Sequence, residues 1–128
     1  MDIYIWIETY LLPFAVPGKP PANISADSES STTIQVTWLC IDCHQHNLTV
    51  GFLVSYKLDG SNQTTSFVVN RTVRQLHIIG LRKFTKYTVY VSSVTERGIS
   101  MSSEEVSTRT LEDGMNVQHD IQIKLSVT

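Results

Sequence analysis

Long hydrophobic runs, an excess of charge of either sign and any sustained helical period are all missing from this 128-residue chain. No apolar stretch approaches the roughly 18 uncharged residues that a membrane span needs, so no transmembrane segment is expected. Basic residues number 10 and acidic residues 12, a formal charge of −2, which excludes the electrostatic footprint of a nucleic-acid or anionic-membrane binder. Cysteine is scarce at 2 residues, a count compatible with either redox compartment. Nucleophile elbow, phosphate-cradling glycine loop, paired-carboxylate arrangement and HExxH are absent, and no spacing links a serine or threonine to a histidine base. The chain is therefore expected not to be an enzyme and to need no cofactor. Its length fits one domain, able to bury a core without disulfide staples.

What is present is alternation. In TTIQVTWL, Ile34, Val36 and Trp38 alternate with Thr33, Gln35 and Thr37, the period of a half-buried strand. GFLVSYKL repeats the pattern with Phe52, Val54, Tyr56 and Leu58, and ends at Asp59-Gly60, a turn dipeptide that tolerates positive φ. TSFVV and RQLHII are short strand candidates, YTVYVSSV puts Tyr87, Val89 and Val91 on one face, and EEVSTRT supplies a last, more polar strand. Six or seven short strands separated by turn signals predict an all-β, antiparallel sandwich, with a small barrel as the alternative. His77, between Leu76 and Ile78, is expected to face solvent.

Four of five asparagines open an N-x-[ST] acceptor: Asn23, Asn47, Asn62 and Asn70. Serine and threonine make up about a fifth of the chain, so chance predicts about one such sequon. The excess points to the secretory pathway and an extracellular or cell-surface location, with these four residues as candidate N-glycosylation sites.

Order and spacing of particular residues sharpen the picture. From Pro20-Pro21 to Thr108-Arg109-Thr110 the chain resembles the fibronectin type III family, a seven-stranded immunoglobulin-like sandwich. Trp38 stands at the family's strand B tryptophan and Tyr56 at its strand C tyrosine. GLRKFTKYTVYV resembles the corner between strands E and F, which implies Leu81 as core plug and Tyr87 as the tyrosine of the corner, its hydroxyl tied to backbone. Lys83 departs from the proline that many members carry there, leaving the corner less rigid. ERGISMSSEEVSTRT resembles the F–G loop and strand G. Arg97-Gly98-Ile99 lies in that loop, where some members display Arg-Gly-Asp. The missing aspartate removes the carboxylate for a receptor metal ion, although Arg97, Gly98 and Ile99 remain a candidate partner loop. In this topology Asn47 and Asn70 would crown one end of the sandwich, with Asn62 at the other.

The most reactive-looking stretch is WLCIDCHQHN, which contains Cys-x-x-Cys-His, the shape of a covalent haem site. On the implied fold it is the end of strand B and the B–C loop, without the helices and apolar pocket that haem attachment uses. A redox dithiol would want its first thiolate at a helix N-terminus, which is also lacking. Zinc on Cys40, Cys43 and His44 or His46 has partial ligand spacing but no helix-borne histidine pair. The expectation adopted is a Cys40–Cys43 disulfide pinning the exit of strand B, contributing about 2 kcal/mol. Free thiols, and a metal- or haem-binding redox protein built on Cys40, Cys43, His44 and His46, remain the alternatives.

The module is expected over residues 18–112. Residues 1–17 read as a remnant of a preceding region, an atypical signal or an alternative start, and residues 113–128 as a strand-like tail. The resemblance implies a non-catalytic, protein-binding or spacer module, monomeric in itself, within a longer receptor, adhesion or matrix protein. A cytokine-receptor-like domain is the alternative, against which MSSEEVS lacks the Trp-Ser-x-Trp-Ser stretch of those relatives.

Overall fold

A computed structural model describes residues 19–41, 43 and 49–113. Eight strands follow one another: β1 (Ala22–Ser28), β2 (Ile34–Leu39), β3 (Thr49–Leu58), β4 (Thr65–Asn70), β5 (Gln75–Ile78), β6 (Lys86–Thr95), β7 (Gly98–Ile99) and β8 (Val106–Arg109). They form a three-stranded sheet, β1-β2-β5, and a five-stranded sheet, β4-β3-β6, in which β6 also pairs with both β7 and β8. Every pairing is antiparallel. The sandwich therefore has one more strand than the seven expected, because the last strand is split. After Ile99 the backbone leaves β6 and returns to its ladder at Val106.

The alternation of β2, β3 and β6 is what closes the two layers on each other. Ile34, Val36, Trp38 and Ile78 come from the smaller sheet, Phe52, Val54, Tyr87, Val89 and Val91 from the larger, and all are buried. Trp38 meets Phe52 edge-on at 5.6 Å between ring centroids. Tyr56, only half-buried, bridges Tyr87 on one side and the stacked ring of Phe67 on the other, at 6.1 and 6.0 Å. At one end of the core the Arg74 guanidinium lies 5.3 Å from the centre of the Phe52 ring, a cation–π contact that covers apolar surface with a charged side chain.

The connection between β5 and β6 fixes the opposite end. Leu81 plugs the core, and the Tyr87 hydroxyl accepts the Arg82 amide at 2.8 Å. The Thr85 amide donates to the Thr110 hydroxyl at 2.8 Å, and that hydroxyl donates to the Arg82 carbonyl at 2.7 Å. Phe84 adopts a left-handed backbone, φ 46°, unusual for a bulky residue. Its amide is held by the Leu111 carbonyl, and the Arg109 guanidinium sits 5.0 Å from the ring centre. At Lys83 the ammonium reaches the Asp113 carboxylate at 2.7 Å, an exposed ion pair of the kind that contributes little.

Gly51 marks a close approach of β3 and β4. It stands opposite Asn70, and a Cβ built on it would lie 2.5 Å from the Val69 carbonyl oxygen. Gly51→Ala is therefore expected to push the end of β4 away and to cost about 2 kcal/mol. Denaturant unfolding measures the loss, and amide chemical shifts should move in β4 more than in β2 or β8. A Gly51→Ala protein as stable as the parent would contradict this packing.

Candidate interaction surfaces

Cys40 and Cys43 are joined by a disulfide, with Cα atoms 5.5 Å apart, at the exit of β2. Both are partly buried against the core. With both sulfurs bonded, neither offers a thiolate to a metal or a free thiol to a haem vinyl group. His44, His46 and Asn47 lie outside the described residues. Among the described residues no group of three or more His, Cys, Asp or Glu side chains is arranged to hold a metal ion. His77 projects from β5 into solvent, and its Nδ1 lies 2.7 Å from Glu29 Oε1, an exposed hydrogen-bonded contact.

The other sequons are on the surface. Asn23 is exposed in β1 with φ 52°, at the point where the β1–β2 register slips between Ala22 and Ser25. Asparagine tolerates this left-handed backbone better than most residues. Asn62 is exposed on the connection from β3 to β4. Asn70 is exposed as the last residue of β4, and its Oδ1 accepts both the Thr72 amide at 2.9 Å and the Thr72 hydroxyl at 3.1 Å.

The turn between β6 and β7 is built on hydroxyl chemistry. The Thr95 hydroxyl donates to the Gly98 carbonyl at 2.7 Å and accepts the Arg97 amide at 3.1 Å. Gly98 has φ 140°, a conformation that side chains disfavour. Arg97 and Ile99 are consequently held outward.

Ile99 opens onto the outer face of the larger sheet. The register sets it beside Val94, and sets Leu53 between Val68 and Ser92. Between these apolar residues lie small hydroxyl side chains, with Ser55 bonded to Ser66 at 2.8 Å and Thr88 to Ser107 at 3.0 Å. The face alternates apolar patches with small hydroxyl side chains, which suits contact area rather than chemistry. The sequence points to the turn and to a sheet face without saying which face; the signal for this one is the second half of each alternation, where Leu53, Val68 and Val94 occupy positions that a water-facing strand fills with polar residues.

The family model of the fibronectin type III domain matches residues 19–109. The chain belongs to the fibronectin type III family. Trp38, Leu81 and Tyr87 are buried and Tyr56 is half-buried. This domain is 34% identical over 101 residues to the cell adhesion molecule DSCAM of Gallus gallus, covering 77% of this chain and 5% of that protein. It is 30% identical over 113 residues to the tyrosine-protein phosphatase Lar of Drosophila melanogaster, covering 84% of this chain and again 5% of the relative. The crystal structure of the FN5 domain of Drosophila Lar superposes with a TM-score of 0.60 at 26% identity, covering 75% of this chain and 98% of that one. The fibronectin type III domain thus spans about a twentieth of the length of these curated relatives, a cell adhesion molecule and a tyrosine-protein phosphatase.

Proposed function

We propose that this domain is a non-catalytic, extracellular module of a larger cell-surface protein, a glycosylated spacer that binds protein partners. The observation that supports this most is the kinship with short stretches of adhesion molecules and receptor phosphatases. The Cys40–Cys43 disulfide fits an oxidising compartment, as does the surface exposure of Asn23, Asn62 and Asn70, which together with Asn47 are the proposed glycan carriers. The proposed module is residues 18–112, monomeric in itself, with 1–17 and 113–128 as flanking segments and no cofactor.

Glycans shield what they cover, so partner contact falls to bare surface. The outer face of the larger sheet and the Arg97-Gly98-Ile99 turn are continuous through Ile99, which is 49% exposed, and since Asn70 closes the other end of the row Asn70–Gly51–Val94–Ile99, the bare part of that face is its Ile99 end. A partner would bury the apolar patches there and reach Arg97 at the rim, the distribution of a protein interface with an apolar centre and polar edge.

Tetramers of the secreted chain applied to intact cells test this. Binding that disappears when cell-surface proteins are digested, weakens about tenfold or more with Ile99→Asp and is unchanged with Asn47→Gln is the expected result. Binding indifferent to Ile99→Asp, or no protein-dependent binding across a broad panel of cell types, would count against the reading.

A further inference from the structure

Among the described residues four stretches of strand have an open edge, and three of them are blunted. Along β6 the last strand is interrupted: Ser100 and Ser103 hydroxyls take the Ser93 and Val91 amides at 2.9 and 3.0 Å, and charged Glu104, Glu105 and Arg109 are exposed. Strand β1 carries a register slip, exposed Asp27 and a Ser28 hydroxyl bonded to Thr108 at 3.1 Å. Strand β5 is only four residues long, with His77 exposed in its middle. Such devices are how sheets avoid joining to one another.

Strand β4 has none of them. Its register with β3 runs unbroken from Gly51–Asn70 to Tyr56–Thr65. No charged residue occurs from Gly60 to Asn70, while Phe67 and Val68 are 41% and 69% exposed. A regular, neutral, apolar edge is the kind that adds a strand. What does flank it is a pair of sequons, Asn62 before the strand and Asn70 at its last residue.

We infer that β4 is a latent pairing edge for a second copy of this chain, kept closed by a glycan on Asn70. The inference rests on the glycoprotein reading proposed above. A second copy is the occupant because a neutral strand opposes no like charge to itself, and an antiparallel pair has the two-fold symmetry of a closed dimer. Keeping inward side chains opposite inward ones allows a two-fold axis at Val68 or at Phe67. Either choice extends the five-stranded sheet to ten and continues the Phe67–Val69 stripe across the join. Asn70 then stands opposite the partner's Ser66 or Thr64, inside or immediately beside the paired segment, where a bulky glycan prevents approach.

The full chain, secreted from eukaryotic cells, is compared with Asn70→Gln, Thr72→Ala and Asn70→Gln/Val68→Lys by sedimentation over a range of concentrations, with glycan occupancy read by mass. Thr72→Ala abolishes the sequon while keeping Asn70, and Val68 is exposed enough that a lysine there leaves the fold intact, as thermal unfolding checks. The glycosylated parent should be monomeric, both sequon variants should double in mass, and Val68→Lys should weaken their dimer about tenfold or more. Sequon variants that stay monomeric at every concentration, or a dimer indifferent to Val68→Lys, overturn the pairing edge. A parent with a bare Asn70 refutes the glycan guard and that part of the glycoprotein reading. The edge itself then stands only if this bare parent dimerises through Val68, and falls if it is a monomer.

Discussion

Trp38→Ala lowers the free energy of unfolding by about 4 kcal/mol, within the range for truncating a large aromatic in a packed core. The side chain is 2% exposed and touches the facing sheet through Phe52 at 5.6 Å, so its removal leaves a void that two hydrogen-bonded sheets cannot collapse to fill. Its buried indole Nε1 has no hydrogen-bond partner among the described residues, so no bond to them is lost by substitution. Trp38→Phe is accordingly expected to cost about 1 kcal/mol, because it keeps most of the ring volume and removes an unpaired donor. Urea unfolding of both variants separates packing from hydrogen bonding. Equal losses for Ala and Phe would mean that the indole nitrogen matters after all. A loss below about 1 kcal/mol for Ala would mean that the layers are not packed through Trp38.

Thr110→Val costs about 2 to 3 kcal/mol, although the substitution barely changes shape. The residue is 1% exposed, and its hydroxyl accepts from the Thr85 amide and donates to the Arg82 carbonyl. Valine leaves both groups, part-buried in this corner, without that partner, and an unmade hydrogen bond away from bulk water costs more than a made one contributes. The same corner holds the Tyr87 hydroxyl on the Arg82 amide and Leu81 in the core, so the loss spreads along the connection. Hydrogen exchange should accelerate at the Thr85 amide by more than the global loss of stability explains. A Thr110→Val protein within about 0.5 kcal/mol of the parent would show that backbone pairing alone secures the corner.

These two residues also mark how far the sequence could be read. Trp38 is visible because alternation reports burial directly: Ile34, Val36 and Trp38 share a parity, and the partner layer repeats it in Phe52 and Val54. Thr110 is not, since its partners lie 25 and 28 residues away and a hydroxyl's role depends on which backbone groups the fold brings near. The same blindness hides Ser100 and Ser103, whose hydroxyls take over amides of β6 and so split the last strand into β7 and β8. Phe84 gives no warning of its left-handed backbone, because the carbonyl of Leu111 and the side chain of Arg109 that hold it come from the far end of the domain.

Of the candidate site, chemistry was legible only as a set of alternatives. Two cysteines at this spacing supply donors for a disulfide, a metal or a haem; the lack of helical signals around them favours the disulfide, and the structure has the pair on a loop between strands, bonded to each other. The interaction surfaces are less legible still. Leu53, Val68, Val94 and Ile99 are scattered in sequence and become one face only through the pairing register. Likewise, the vulnerability of β4 is a comparison among edges, and edges exist only once the strand order is known.

The most direct test of a disulfide-bonded, glycosylated extracellular module is the intact mass of the secreted chain, unreduced, before and after enzymatic release of N-glycans. The account predicts a released protein two hydrogens lighter than the fully reduced chain, from Cys40–Cys43, with asparagine converted to aspartate at the sequons that carried glycan, Asn70 among them. Free thiols, no glycan on any of the four sequons, or a metal retained through purification would contradict it and return Cys40, Cys43, His44 and His46 as the functional centre.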